Sequence, residues 1–339
     1  MVIFELGPTK QLNSVIIDFF RKKRVEDINW KEEVRTLEGQ NLLLSYTVAS
    51  KMITKHRFDF SYQKKFLELL TIHLETVKAN RTLIYHALGG LCKREKEPEQ
   101  YHDVFYPVFE IGNIDILTEV NMIILKESTK LISHGTTGLN TWQASQALAD
   151  WAIQTTSVKN KTILELGSGV GLTGLVISSS TPCNKYIFTD RNKEVLSLLK
   201  YNVKHNCDET LVDENNPEGG VMLFSGLVKR CKVEVRKLDW PRLRQGIFNE
   251  IESIDLIFTA DVIYDEFINL PFLNAIRMFL DNGTKAAIIA YARRNSETMR
   301  ALRETLVWME LKYKDLETVQ PKYLGWEASP TVDLIQVTK

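Results

Sequence analysis

The chain has 339 residues, of which 44% are hydrophobic and 25% are charged, which is typical of a folded protein with one large and one smaller domain. Its 43 basic and 43 acidic side chains cancel, so the overall charge gives no reason to expect binding to nucleic acid or to an anionic membrane. The sequence has neither a signal-peptide pattern nor a long apolar span, and we therefore expect a cytoplasmic protein without a membrane segment.

The first hundred residues show helical spacing of apolar side chains. Large apolar residues recur at intervals of three and four in "NSVIIDFFRKK", "QNLLLSYTVASKMI" and "YQKKFLELLTIHLETV". The polar stretch "KREKEPEQ", with Pro98, interrupts this pattern. The sequence therefore predicts a small helical N-terminal domain over 1–103.

The remainder, 104–339, reads as an α/β domain. "VFYPVFEIG" and "IDILTEVNMIILKES" flank Gly112 and Asn113 and predict a β-hairpin. Five apolar runs then alternate with helical stretches and predict a parallel sheet with helices on both faces: "TILEL", "KYIFTD", "KVEVRKLD", "IDLIFTAD" and "TKAAIIAY". "WMELKYKDLE" and "TVDLIQVTK" predict a terminal antiparallel pair. The acidic segment 207–220 is expected to be a mobile loop.

The four cysteines show no spacing that would hold a metal ion. Cys92, Cys183, Cys207 and Cys231 form no C-x-x-C pair and have no histidine at zinc-site distance. We expect no metal site and four reduced thiols.

The glycine-rich stretch "ILELGSGVGLTGL", residues 163–175, joins the first parallel strand to a helix. Glycines at the N-terminus of a helix let backbone N–H groups approach the polar tail of a nucleoside. Gly167, Gly169 and Gly171 give an E-x-G-x-G-x-G pattern, whereas Gly169, Gly171 and Gly174 give the G-x-G-x-x-G pattern of dinucleotide sites. The phosphate-binding P-loop is excluded because Leu175, and not lysine, follows the last glycine.

Two carboxylates near this loop bear on the choice of cofactor. Glu165 would repel a pyrophosphate but attract the cationic end of S-adenosylmethionine. Asp190 ends the second strand, where an acid binds ribose hydroxyls in both NAD and S-adenosylmethionine, although it could instead cap the following helix. Glu165 therefore favours S-adenosylmethionine.

Three further stretches of sequence complete the predicted cofactor pocket and the reacting end. Asp239 and the backbone N–H of Trp240 follow the third strand and could contact the adenine edge. Trp142 could form a wall of the pocket, although a core position is equally compatible with its spacing. "TADVIYD" places Asp261 at the carboxyl edge of the sheet with Tyr264 three residues later, as a carboxylate and an aromatic wall, although both could simply cap and pack against the next helix.

The motifs "ELGSGVGLTG", "TDRN", "LDW" and "ADVIYD", in this order, resemble those of the seven-β-strand protein lysine methyltransferases. "HGTTGLNTWQAS" and the helical N-terminal region narrow the resemblance to the elongation factor 2 lysine methyltransferases in their fungal form. The motifs cover residues 134 to about 265, whereas the first hundred residues match mainly in layout.

This resemblance implies a seven-stranded Rossmann-like methyltransferase sheet and transfer of a methyl group from S-adenosylmethionine to a lysine of translation elongation factor 2. It implies a monomer whose helical N-terminal domain recognises the protein substrate. By this resemblance Asp261 and Tyr264 would hold the lysine, and the cofactor would be held by Trp142, Gly167, Ser168, Gly169, Asp190, Trp240 and Ala260. Glu165 and Asp239, predicted from charge and from strand position, complete the expected cofactor site. Two alternatives remain: a binding or chaperone-like module that keeps the cofactor loop without catalysis, and an NAD-dependent oxidoreductase.

Overall fold

The computed structural model describes residues 2–7, 10–93, 100–133, 135–213, 222–263, 266–294, 296–318 and 320–339. Backbone contacts divide the chain into two compact units, Val2–Lys130 and Leu131–Lys339. The boundary predicted after residue 103 puts the hairpin in the wrong unit, because both of its strands pair within the first unit.

The first unit combines helices with a three-stranded antiparallel sheet. The helices are α1 (Asn13–Phe20), α2 (Leu37–Tyr46), α3 (Lys51–Lys55), α4 (Phe60–Thr76) and α5 (Thr82–Cys92), and the strands are β1 (Val2–Glu5), β2 (Tyr101–Val108) and β3 (Glu119–Ser128). The sheet has the order β1-β3-β2, and the predicted hairpin strands β2 and β3 do pair with each other. The four-residue edge strand β1 was not predicted from the sequence.

An aromatic cluster joins these helices to the sheet. The ring of Phe19 on α1 lies 4.8 Å from that of Phe66 on α4, and Phe20 lies 5.4 Å from Phe105 on β2. All four rings are fully buried. The burial of these rings removes a large apolar surface from water, which stabilises the core that the helices and the sheet share.

The second unit is built around one mixed sheet. Its helices are α6 (Gln143–Thr155), α7 (Leu172–Ser180), α8 (Lys193–Asn206), α9 (Glu266–Asp281) and α10 (Ser296–Trp308). Its strands are β4 (Thr162–Leu166), β5 (Lys185–Asp190), β6 (Glu209–Asp213), β7 (Met222–Val228), β8 (Cys231–Lys237), β9 (Leu256–Ala260), β10 (Ala286–Ala292), β11 (Lys312–Leu316) and β12 (Val332–Thr338). Each apolar run that the sequence predicts as a strand of this sheet contains one.

The strand order is β11-β12-β10-β9-β4-β5-β8-β7-β6. β8, β5, β4, β9 and β10 are parallel, and β12 runs antiparallel between β10 and β11. From β4 the chain first builds outward through β5 and β8, and then returns to the other side of β4 with β9 and β10. The strand order therefore reverses between β4 and β9, which is where open α/β sheets bind ligands.

Helices cover both faces of this sheet, as predicted. Trp151 of α6 packs against the ring of Phe258 on β9, at 6.2 Å, whereas the adjacent Ile257 belongs to the core that contains Phe272 of α9. Successive side chains of a strand point to opposite faces, so α6 and α9 lie on opposite sides. No helix within the described ranges is both long and apolar enough to cross a lipid bilayer.

A two-stranded extension lies at the β8 edge, where the sequence predicts a loop over 207–220. There β6 pairs antiparallel with β7. The acidic composition suggests a solvated loop, but Asp213 forms ion pairs with Lys200 (2.5 Å) and Lys204 (2.6 Å) on α8, which offset its charge. The loop prediction is therefore wrong for the residues of β6. Residues 214–221 lie outside the described part of the chain. Among the described residues the sheet has nine strands, in place of the predicted seven.

Two of the cysteines form a disulfide. Cys183 precedes β5 and Cys231 begins β8, and their Cα atoms are 5.5 Å apart because these strands are neighbours in the sheet. The expectation of four reduced thiols is wrong for this pair, whereas Cys92 and Cys207 are free thiols.

A buried carboxylate on α6 binds the loop between β11 and β12. Asp150 is fully buried and accepts hydrogen bonds from the backbone N–H groups of Lys322 (2.9 Å), Tyr323 (3.1 Å) and Leu324 (3.3 Å) and from the indole N–H of Trp326 (3.1 Å). Charge-assisted hydrogen bonds of this kind are stronger than those between neutral groups. Asp150 therefore fixes the loop on the helix that begins directly after Trp142.

We expect Asp150→Ala to lower the free energy of unfolding by at least about 3 kcal/mol, because several buried N–H donors lose their acceptor. Chemical denaturation followed by circular dichroism would measure this loss. Asp281→Ala is the matched control: this half-exposed carboxylate only forms ion pairs with Arg277 and Lys339, and we expect a loss below about 1 kcal/mol. Equal losses for the two variants would contradict the role assigned to Asp150.

Candidate active site

The glycine loop leaves β4 and enters α7 with an unusual backbone. Gly167, Gly169 and Gly171 all have positive φ, at +71°, +54° and +95°. At Gly167 a Cβ atom would also lie 2.8 Å from Cγ1 of Val262, so that only glycine fits. Gly174 has a different function, because a Cβ there would lie 2.3 Å from the rings of Tyr186 and Phe188. Its absent side chain allows α7 to pack on β5.

A cavity of about 440 Å³ lies beside this loop, at the carboxyl ends of β4, β5 and β9. This volume is in the range of small-molecule sites. Its lining includes most of the residues that the sequence singles out: Trp142, Glu165, Gly167, Ser168, Gly169, Asp190, Trp240, Ala260 and Asp261. Asp239 does not line the cavity, and Tyr264 lies outside the described residues.

Glu165 is a buried carboxyl group in the cavity lining. Its side chain is 2% exposed, and its Oε2 atom has no hydrogen-bond partner among the described residues. Burial raises the pKa of Glu165 to about 7, and the nearby hydroxyls of Thr173, Ser168 and Tyr186 oppose that rise only in part. Ionised Glu165 is therefore costly until a cation enters the cavity.

Asp190 lies across the cavity at the end of β5. Its Oδ1 atom accepts hydrogen bonds from the N–H groups of Arg191 (2.7 Å) and Asn192 (3.0 Å), while the loss of surrounding water raises its pKa. The N-cap of α8 is Asn192, whose side chain accepts from Glu194 and Val195. The alternative in which Asp190 caps this helix is therefore wrong.

Trp240 and Asp239 occupy different positions although they are adjacent in sequence. The Trp240 ring lies beside Gly167 and packs on Phe272 at 5.3 Å. Asp239 places Oδ2 3.6 Å from Nε of Arg242, and its Oδ1 atom is buried without a described hydrogen-bond partner. Only Trp240 of this pair is in the cavity wall.

Asp261 follows β9 in the left-handed backbone region, with φ of +51°. Its backbone N–H donates to the carbonyl of Ala290 (3.0 Å), and its Oδ1 atom accepts from the N–H of Ala292 (2.9 Å). The carboxylate is therefore bound to β10, and it accepts no hydrogen bond from the described residues of the next helix. Oδ2 is buried, has no hydrogen bond within the described chain, and lies 3.5 Å from Nη2 of Arg294.

Trp142 is half-buried and forms a wall of the cavity. Its indole N–H donates to the carbonyl of Thr137 (3.1 Å), and the Arg294 guanidinium lies 4.8 Å from the ring centre. The ring is thus part of the cavity and is not a core aromatic.

Several lining residues were not predicted. The chain at 135–141 contributes Thr136, Gly138 and their neighbours, and α9 contributes Ile268 and Pro271. "HGTTGLN" could have indicated the first group, because it belongs to the stretch that carries the family resemblance. The positions on α9 have no sequence signal of their own.

Comparisons with known proteins agree on one family. The family profile described as "Lysine methyltransferase" matches residues 119–306, more than half of the chain. The chain is 28% identical to "Protein-lysine N-methyltransferase EEF2KMT" of Mus musculus, over 98% of this chain and 96% of that protein. The protein of the same name in Bos taurus is also 28% identical, over 94% of each chain. "Protein-lysine N-methyltransferase EFM3" of Chaetomium thermophilum is 27% identical, over 60% of this chain and 56% of that protein.

The raised pKa of Glu165 predicts how stability depends on pH. Between pH 4.5 and about pH 7 the carboxyl group of Glu165 has lost its proton in the unfolded chain but retains it in the folded protein. Folding therefore becomes less favourable as the pH rises through this window. Relative to the unsubstituted protein, Glu165→Gln should become more stable by about 3 kcal/mol between pH 4 and pH 8. Urea denaturation at both pH values measures this. A pH-independent difference would contradict it, and the exposed Glu250→Gln is the control.

Proposed function

The chain belongs to the lysine methyltransferase family, and we propose that it transfers a methyl group from S-adenosylmethionine to a lysine of translation elongation factor 2. The choice of elongation factor 2 rests on the motif resemblance and is consistent with the relatives named EEF2KMT. A cytoplasmic monomer that acts on a protein and does not bind nucleic acid belongs to the same proposal, as does substrate recognition by the N-terminal unit.

One observation supports this proposal above the others: the cavity contains two buried carboxylate oxygens without hydrogen-bond partners in the described structure, Oε2 of Glu165 and Oδ2 of Asp261. Buried charges are costly unless they are paired. Among the described residues Oε2 of Glu165 has no cationic partner, and Oδ2 of Asp261 has only the long ion pair with half-exposed Arg294 at 3.5 Å. The two oxygens therefore suit two cationic groups, the amino-acid end of the cofactor and the ammonium group of a lysine. A pyrophosphate would be repelled, which disfavours the NAD-dependent alternative.

The residues of the cavity fit S-adenosylmethionine. Glu165 would bind the cationic amino-acid end of the cofactor, and Asp190 would bind its ribose hydroxyls. Trp142 and Trp240 would pack against the flat surfaces of the cofactor. The backbone of Gly167 to Gly169 would lie close to it. Ser168 lies within this loop, Ala260 lies in the wall, and Asp239 would contribute to the adenine edge only if its side chain turned toward the cavity. When bound, the cofactor supplies a methyl group on a positively charged sulfur.

Lysine must attack as a neutral amine. With a pKa near 10.4, deprotonation at pH 7 costs about 4 to 5 kcal/mol. Asp261 favours the ammonium form, so we assign it to the capture and alignment of lysine, and the proton leaves to water as the amine reaches the methyl group. The bound cofactor would supply the methyl group to this amine and would keep the electron pair of its carbon–sulfur bond. Tyr264, outside the described residues, would wall the lysine channel and contact the cation through its ring.

The cofactor assignment is tested by calorimetry at pH 8 with S-adenosylhomocysteine and with NADH. We expect binding of S-adenosylhomocysteine only, weakened about tenfold in Glu165→Gln because the cationic amino group loses its counter-charge, which corresponds to about 1.4 kcal/mol. Glu250→Gln, a change at an exposed site, should bind as the unsubstituted protein does. Binding of NADH alone would overturn the assignment.

The methyl-transfer assignment is tested with labelled S-adenosylmethionine and elongation factor 2 purified from cells that lack this chain. We expect labelling of one protein band, with the site identified by mass spectrometry, and at least a tenfold lower kcat/KM in Asp261→Asn, since the amide cannot attract the ammonium. Asparagine tolerates the backbone of position 261.

Asp255→Asn is the control for this experiment. It makes the same change just before β9, at the opposite end from the cavity, where the carboxylate accepts from the N–H of Thr162. We expect unchanged methylation. If the protein labelled nothing, the non-catalytic binding module would be the better reading, and full activity of Asp261→Asn would remove Asp261 from the reaction.

A further inference from the structure

A second cavity, of about 940 Å³, opens beside the carboxyl end of β10. It lies between that strand, α10 and the β11–β12 pair. We call it the arginine cleft and define it by Arg293, Arg294, Arg300, Arg303, Val307 and Trp308. The proposed reaction leaves this cleft without a role.

The last turn of α10 exposes two large apolar side chains at the cleft. Trp308 is 73% exposed and Val307 is 64% exposed, whereas Leu302 and Leu306 on the same helix are fully buried in the core. Isolated apolar residues are common on surfaces, but tryptophan next to arginine is the composition that is enriched where proteins bind one another. α10 thus has one apolar face that is buried in the core and a second apolar surface, formed by Val307 and Trp308, that the described residues leave largely exposed.

The four arginines of the cleft differ in how firmly they are held. Arg293 forms a two-pronged ion pair with Asp333, and Arg303 forms one with Asp315. Planar pairs of this kind fix the orientation of the guanidinium. They hold two positive groups in place along the cleft wall.

The other two arginines have long ion pairs. Arg300 lies 3.7 Å from Glu304 with both side chains largely exposed, and half-exposed Arg294 lies 3.5 Å from the buried Oδ2 atom of Asp261. The exposed pair of Arg300 contributes little to stability, so Arg300 can exchange Glu304 for a carboxylate of another molecule. Arg294 can do the same once a lysine ammonium group takes its place at Asp261.

Arg294 also connects the cleft with the candidate active site. It lines the cleft, while its guanidinium contacts both Asp261 and the Trp142 ring. Arg294 thus lies between the cleft and the place where the proposed reaction occurs. A polypeptide with a lysine at Asp261 would meet Arg294 at the edge of the cleft.

We propose that the arginine cleft binds the segment of the protein substrate next to the methyl-accepting lysine, and that this segment carries an acidic and a large apolar side chain. Arg294 and Arg300 bind the acidic group, and Trp308 packs on the apolar one. This inference rests on the proposed function, because it requires a protein substrate with its lysine at Asp261.

The test is steady-state methylation of purified, unmethylated elongation factor 2 by the full chain carrying Arg300→Glu and Trp308→Ala together. We expect KM for elongation factor 2 to rise at least tenfold, with kcat changed less than threefold and the Kd of S-adenosylhomocysteine changed less than twofold. Both side chains are exposed, so the variant should fold, which circular dichroism verifies.

The matched control carries Arg230→Glu and Leu211→Ala, two exposed positions at the opposite edge of the same sheet, and should retain the original KM. Reversing the charge of the acidic residue in elongation factor 2 that adjoins the methylated lysine should restore a low KM with Arg300→Glu. A KM equal to that of the control would overturn the inference while leaving the proposed function intact. Absence of methylation by the unsubstituted protein would overturn the proposed function, and this inference with it.

Discussion

The parallel pairing of β4 with β5 on one side and with β9 on the other determines where the glycine loop, Asp190 and Asp261 of the candidate site lie. Because the three strands run in the same direction, their carboxyl ends meet at one edge of the sheet. The glycine loop, Asp190 and Asp261 follow these ends directly, although they are far apart along the chain. A shift in this pairing would therefore move all of them at once, whereas a change in an outer strand would leave the cavity intact.

The same edge concentrates carboxylates that water does not reach well. Glu165 and Asp190 both have raised pKa values because of burial, and each would be more stable protonated or paired. A folded protein that retains such groups in a cavity sacrifices part of its own stability there. In the proposed reaction this loss of stability favours binding of a cationic ligand, because such a ligand pairs with the buried carboxylates. Neutral or anionic ligands do not.

The sequence was sufficient to predict what depends on local pattern. Apolar runs indicated the parallel strands. Asp190 and Asp261 could be placed at strand ends because the end of an apolar run can be located in the sequence alone. What depends on spatial neighbours was not predictable: the pairing of Cys183 with Cys231, the ion pairs that let an acidic segment form β6, and the orientation of Asp239 away from the cavity. The arginine cleft belongs to this second class, because β10, α10, β11 and β12 form it together.

Asp150 has a consequence for the order in which the molecule can be completed during synthesis. The backbone groups that it binds at Lys322 to Leu324 follow it by 172 to 174 residues. A nascent chain that has reached α10 already contains the glycine loop and all the residues that line the cavity, yet Asp150 on the helix behind Trp142 still lacks the backbone donors of the later loop. The segment before β12 must therefore be synthesised before this carboxylate can make its hydrogen bonds to the loop.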